Sequence, residues 1–133
     1  MHRRDFLMLT AAVSLPPLAA RAQFIDYTPE RLETAMANGE RIILDFYAPW
    51  CGTCNRQQRV MEQLRAANPA YDANLTLIHV DWDTYRHTDL VARHNVPRRS
   101  TIIAFKGARE LARTVAGTSV AEIQALFDAA LNA

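Results

Sequence analysis

Two cysteines stand three positions apart in "YAPWCGTC" (residues 47–54), and the chain contains no others. Three kinds of chemistry use such a pair. As a structural staple, a Cys51–Cys54 disulfide is weak, because stabilisation by loop closure grows with the loop and this one encloses two residues. As half of a zinc or copper site, the pair needs further ligands, about four in all for structural zinc. Beyond residue 22 the histidines are His79, His87 and His94, which are scattered, so a zinc site would chiefly be one shared between two molecules. As a redox tool, the pair has a mechanism of its own. Cys51 falls at the expected start of a helix, where unpaired N–H groups and the helix dipole favour a thiolate below the free thiol pKa of about 8.5. Cys54, one turn later, can reach the same face and attack a mixed disulfide.

These residues need elements to position them. "RIILDFY" (41–47) is almost continuously apolar and β-prone, as in a strand buried on both faces, and it leads into the cysteines. From residue 51 to 67 the pattern turns helical, with Val60, Met61 and Leu64 among polar residues, and Asn68-Pro69 ends the run. Upstream, Thr28-Pro29 reads as a helix start and Gly39 as its end. Downstream, "LTLIHVD" (75–81) is a second buried strand, and residues 88–94 are expected to form a short helix. "STIIAF" (100–105) is a third strand, and Gly107 turns the chain so that "ELARTVA" (110–116) pairs back as an edge strand. The last helix lies in 118–131. Ser119 and Glu122 form a capping box, and Val120, Ile123, Leu126, Phe127 and Leu131 form its apolar face. Alternating helices and strands followed by a hairpin predict a single α/β domain with parallel strands and right-handed crossovers at its start.

The segment "LDFYAPWCGTC" resembles the thioredoxin superfamily motif, in which "DF-x-A-x-W" leads into C-G-P-C, and "TIIAFKG" resembles that family's strand and turn near its end. The resemblance spans essentially all of residues 23–133. It implies the thioredoxin fold, a central mixed β-sheet flanked by helices, and a thiol–disulfide oxidoreductase. Cys51 would be the attacking nucleophile and Cys54 the resolving thiol, their disulfide serving in place of any bound cofactor. Asp45 matches the family's buried aspartate beneath the resolving cysteine. A carboxylate in this apolar strand is costly to bury ionised, so a raised pKa is expected, suited to moving a proton to and from Cys54. An exposed strand edge is the alternative place for Asp45. The lysine that often accompanies that aspartate is replaced by His79, which could serve the proton relay or pack as an ordinary strand histidine. Trp50, Gly52, Thr53, Arg99, Ser100 and Thr101 are the expected substrate-binding residues.

Two departures from the family pattern stand out. Thr53 occupies the place of the proline between the cysteines, where residues tune the reduction potential. Ser100 occupies the place of a cis-proline before Thr101, and Pro97 lies three residues too early to fill it. For a serine the trans peptide is expected, with an N–H or hydroxyl able to hydrogen-bond a cysteine sulfur. The loop "VPRRST" should still face the cysteines, with Arg98 and Arg99 adding positive charge near the thiolate or a partner.

The N-terminus points to export. Arg3 and Arg4 precede an apolar run over residues 6–18 that is followed by "AARA" (19–22), the layout of a cleavable signal. That run is too short to span a bilayer, which takes about 20 helical residues. "RRDFLML" resembles the twin-arginine export signal, whose pathway carries folded proteins. Cleavage near Ala22 would leave residues 23–133, with 12 basic and 13 acidic side chains. That balance gives no reason to expect nucleic acid as a partner. The expected location is the periplasm, where a disulfide persists. The expected partners are protein disulfides or dithiols and a membrane thiol reductase as electron donor, and the expected state is a monomer. Two rival readings use the same pair: a copper- or zinc-handling protein, and a binding module without catalysis.

Overall fold

The computed structural model describes residues 23–133. The export signal expected in residues 1–22 therefore lies outside the described residues. In chain order the elements are β1 (Ile25–Asp26), α1 (Pro29–Ala37), β2 (Arg41–Tyr47), α2 (Gly52–Ala67), α3 (Pro69–Asn74), β3 (Leu75–Asp81), α4 (Trp82–Tyr85), α5 (Asp89–Arg93), β4 (Thr101–Lys106), β5 (Arg109–Val115) and α6 (Val120–Leu131). The sheet order is β1-β3-β2-β4-β5. β3 runs parallel to β1 and β2, and β4 runs antiparallel to β2 and β5. The mixed sheet, the closing hairpin and the edge position of β5 are as the sequence predicts.

β2 is central because its side chains are apolar on both faces. Ile42, Leu44 and Phe46 point into one core with Leu32, Ala35 and Leu90; Ile43 points into the other with Met61, Leu64, Ile123 and Phe127. β4 divides likewise, Ile103 and Phe105 to the first core and Ile102 and Ala104 to the second. A period-two alternation with both sets apolar requires cover on both sides. The first core lies against α1 and α5, the second against α2, α3 and α6. By the same alternation Asp45, between Ile43 and Tyr47, is aimed at the face that α2 covers.

Local signals explain most boundaries. Thr28 caps α1, accepting the Arg31 N–H at 3.1 Å, and Gly39 leaves that helix at a φ of +67°. Asn68 ends α2 and also caps α3, accepting from Ala70 N at 3.1 Å, so the chain restarts a helix where the sequence predicts only a stop. β1 and α4 are further additions. α4 is capped by Asp81, which accepts the Asp83 N–H at 3.1 Å. The capping box on α6 is half formed. Ser119 accepts from Glu122 N at 3.1 Å, but the Glu122 carboxylate instead takes the Thr114 hydroxyl at 2.6 Å, tying α6 to β5. Val120 on the predicted apolar face is exposed, and Ala130 is buried there.

Candidate functional site

The site lies where the C-terminal end of β2 meets the N-terminus of α2 and the loop before β4. Ala48 accepts the Cys51 N–H at 3.1 Å, which turns the chain out of the strand, and Cys51 becomes the N-cap of α2. A cap ordinarily offers an oxygen to the first orphan N–H groups. Here the offering atom is Sγ of Cys51, which accepts from Cys54 N at 3.2 Å. The first turn of α2 carries no acidic residue, so nothing there opposes negative charge on that sulfur. Cys51 and Cys54 are both free thiols and both buried, 3% and 4% exposed, so accessibility does not separate them. Cys54, one turn into the helix, is sheltered, and Cys51 at the helix start is sheltered as well.

Electrostatics do separate them. Burial pushes the Cys51 thiol up. Hydrogen bonds from the Cys54 thiol, the Ser100 hydroxyl, the Cys54 backbone N–H and Arg99 outweigh that and bring it down to about 7. Burial pushes Cys54 up, and its hydrogen bond to Cys51 adds to the rise. The pair is thus divided into a thiolate-forming and a proton-holding member.

Ser100 is fully buried between them. Its Oγ lies 3.3 Å from Cys51 Sγ and 3.0 Å from Cys54 Sγ. The described residues contain no cis peptide, so the bond before Ser100 is trans as expected. Its N–H is spent on Phe46 O at 2.8 Å, so of the two donors foreseen for the sulfur it is the hydroxyl that serves. The backbone at Ser100 has a φ of +65°, a left-handed conformation that costs a non-glycine residue energy and needs external support. Its carbonyl supplies the support, accepting from Ala116 N at 2.9 Å and from Gln57 Nε2 at 2.9 Å. Gln57, fully buried on α2, also donates to Gly117 O at 3.0 Å. Thr101 is buried and donates its hydroxyl to Arg98 O at 2.7 Å, which shapes the loop without facing the sulfurs.

Trp50 is the most exposed large apolar side chain described, at 60%. It is fixed from two sides: its indole N–H donates to Asp83 Oδ2 at 2.7 Å, and the Arg99 guanidinium lies over its ring at 4.5 Å. Arg99 thus meets both Trp50 and Cys51, while Arg98 turns back to Arg99 O at 3.1 Å. Gly52 is exposed and Thr53 half-buried at the rim of the pair.

Asp45 is buried, 1% exposed, which excludes the strand-edge alternative. Burial pushes its carboxyl up, and His79 opposes this. His79 Nε2 lies 3.3 Å from Asp45 Oδ2, within ion-pair reach but out of line for a hydrogen bond, and Asp45 Oδ1 has no protein partner. Asp45 and His79 are register partners on β2 and β3. The His79 ring is held between Phe24, stacked at 4.0 Å, and Tyr47 at 4.6 Å, so it is packed and also placed against the carboxylate.

Among the described residues no group of three or more His, Cys, Asp or Glu side chains is arranged to hold a metal ion, and no helix is long and apolar enough to cross a membrane. Two functional residues escaped the sequence. Gln57 carries no signal beyond its spacing from Cys54, since its partners are far away in the chain. Asp83 could have been found from Asp81 as a helix cap, which places it on α4.

The family profile described as thioredoxin matches residues 23–129. The chain belongs to the thioredoxin family. It is 29% identical to a thioredoxin of Mycoplasma genitalium over 74% of this chain and 91% of that one. It is 33% identical to a thioredoxin domain-containing protein 5 homolog of Drosophila melanogaster, over 71% of this chain but 22% of that larger protein. Among solved structures, Trxlp from Edwardsiella tarda shares 31% identity at a TM-score of 0.65, covering 77% of this chain and 94% of that one. A Malassezia sympodialis thioredoxin, 20% identical with a TM-score of 0.67, shares the fold. The chain is a thiol–disulfide oxidoreductase of this family, whose members act on protein disulfides.

Proposed function

We propose that this protein exchanges protein disulfides in the periplasm, with Cys51 as nucleophile and Cys54 as resolving thiol. The Cys51 thiolate attacks one sulfur of a client disulfide. A Cys51–client bond forms, the client S–S bond breaks, and the other client sulfur leaves as a thiolate that takes up a proton. Cys54 then loses its proton and attacks Cys51 Sγ. The Cys51–Cys54 disulfide forms, the second client sulfur departs, and two electrons have passed to the client. The observation that carries this reading is the cap: Cys51 Sγ occupies the N-cap of α2 and accepts the Cys54 N–H at 3.2 Å. A sulfur in that place is stabilised as an anion by the groups that begin the helix.

Asp45 receives the Cys54 proton in this scheme, with His79 Nε2 3.3 Å from its carboxylate. Trp50, Gly52 and Thr53 form the exposed side of the docking surface, with Arg99, Ser100 and Thr101 behind it. Residues 1–22 form a twin-arginine export signal cleaved near Ala22, and residues 23–133 are the mature monomeric domain. No bound cofactor takes part beyond the Cys51–Cys54 disulfide, and electrons arrive from a membrane thiol reductase.

The test is trapping. A Cys54→Ala variant expressed with its signal should accumulate client mixed disulfides through Cys51 in the periplasmic fraction, and Cys51→Ala should not. Native mass spectrometry of the wild type should show a reversible loss of two hydrogens on oxidation. A tightly retained copper or zinc ion with no trapped client would replace this reading by a metal-handling one. Absence of both would leave a binding module.

A further inference from the structure

The hydroxyl of Ser100 sits within hydrogen-bond reach of both reacting sulfurs, and a strained, triply held backbone puts it there. A serine hydroxyl has one proton to donate and lone pairs to accept with. With Oγ at 3.0 Å from Cys54 Sγ and 3.3 Å from Cys51 Sγ, it can accept from one sulfur while donating to the other. The backbone is committed elsewhere: Ser100 N–H to Phe46 O, and Ser100 O to Ala116 N and the Gln57 side chain. The hydroxyl alone is left to answer the sulfurs, and it can turn about its Cα–Cβ and C–O bonds without disturbing those contacts. We propose that Ser100 is a catalytic residue whose O–H donates to whichever cysteine sulfur carries the negative charge, Cys51 in the resting dithiol and Cys54 in the mixed disulfide. The proposal rests on the thiol–disulfide exchange described above.

In the dithiol, Cys54 keeps its proton, and the Ser100 O–H donates to the Cys51 thiolate alongside the Cys54 S–H. When Cys51 bonds to a client sulfur, its charge leaves with the departing client thiolate, and the Ser100 O–H loses its anionic acceptor. The proton on Cys54 passes to that departing thiolate, through Asp45 or solvent. The Ser100 O–H then turns to the new Cys54 thiolate, which attacks Cys51 Sγ and releases the second client sulfur. The serine gains and loses no proton over the cycle. It follows the charge, so it lowers the cost of an anion first at one sulfur and then at the other.

The experiment compares wild type with Ser100→Gly and Ser100→Ala. Glycine adopts a φ of +65° without strain, so that variant deletes the hydroxyl while the backbone keeps its path. Alanine keeps the Cβ and checks that added backbone freedom is not the cause. Two quantities are read: the Cys51 pKa, from ultraviolet thiolate absorbance against pH, and the resolution rate after reaction with dithionitrobenzoate. That probe leaves a thionitrobenzoate on Cys51, and Cys54 expels it in a first-order step. Without the hydroxyl the Cys51 pKa should rise by about one unit and resolution should slow about tenfold, the equivalent of one charge-assisted hydrogen bond at each stage. A merely structural serine would move neither quantity in the glycine variant. Unchanged pKa and unchanged resolution there would overturn the proposal while leaving disulfide exchange intact. A raised pKa with unchanged resolution would also overturn it, since the hydroxyl would then serve Cys51 alone. A wild type that releases no second thionitrobenzoate would instead overturn the exchange reading itself.

Discussion

Selective alkylation tests the division of labour between the cysteines, because their equal cover of 3% and 4% exposure leaves charge to decide. With a pKa of about 7, about half of Cys51 is thiolate at neutral pH. Cys54 is held above 9.0, so at most about 1 in 100 of its population is thiolate there. That is a thiolate advantage of about fiftyfold or more for Cys51. A thiolate of lower pKa is a weaker nucleophile, and over two units this returns about six- to tenfold. The net expectation is that iodoacetamide labels Cys51 at least about fivefold faster than Cys54 at pH 7, read by peptide mass spectrometry after short exposures of the reduced protein. As the pH climbs from 7 to past 9.0, Cys51 can at most about double its thiolate while Cys54 continues to gain, so the ratio should shrink. A ratio that ignores pH, or faster labelling of Cys54 at pH 7, would refute the electrostatic reasoning.

Asp45→Asn removes a carboxyl whose protonated form burial favours in the folded state, so the wild type loses stability as pH rises from 3.8 through the folded pKa. Urea melts should show the variant gaining on the wild type across that window, by up to about 1.4 kcal/mol per pH unit, with slower exchange near pH 7; kinetics unchanged from mildly acidic to mildly alkaline pH would leave Asp45 a structural role only. Gln57→Ala deletes the bonds to Ser100 O and Gly117 O and should cost about 2–3 kcal/mol in urea denaturation; a loss under about 0.5 kcal/mol would show that the latch does not hold the loop. Asp83→Ala frees the Trp50 indole and should raise KM for a protein disulfide with little change in kcat, checked by steady-state kinetics. Lysine at both Arg3 and Arg4 keeps the charge but removes the arginine pair, and cell fractionation should find the protein retained in the cytoplasm; normal export would assign it to the general secretory route.

What the sequence could show follows from how far apart the interacting residues lie. β2, α2, β3, β4 and α6 were legible because each carries its own period of apolar residues and its own cap or stop. The cysteine pair was legible because its chemistry is local: strand, turn and helix N-cap lie within one short stretch. β1 was not, since two residues carry no period and pair only because β3 offers a free edge. The Glu122 carboxylate could not be placed, because Thr114 competes for it from the neighbouring strand. Ser100 was singled out by its type and place, and its hydroxyl was among the donors expected to reach a sulfur. Its left-handed backbone was not foreseen, since Phe46, Gln57 and Ala116 impose it from three separate parts of the chain.

That backbone changes what the missing proline means. Proline fixes φ near −65° and has no N–H to donate. Ser100 has a φ of +65° and gives its N–H to Phe46 O at 2.8 Å. A Ser100→Pro exchange would therefore force a new path on the loop and break the tie to β2, so it tests the backbone more than the hydroxyl. The left-handed serine costs about 1–2 kcal/mol, and three hydrogen bonds of about 1 kcal/mol each offset it. Those bonds come from β2, from α2 and from the turn after β5. The elements that stabilise the strained residue are thus the ones that carry the two sulfurs, or that border them, and any movement of Gln57 is transmitted to the hydroxyl. Gln57 should therefore behave as a positioning residue: Gln57→Ala should raise the Cys51 pKa in the same direction as Ser100→Gly and by less, because Phe46 and Ala116 still hold the serine backbone.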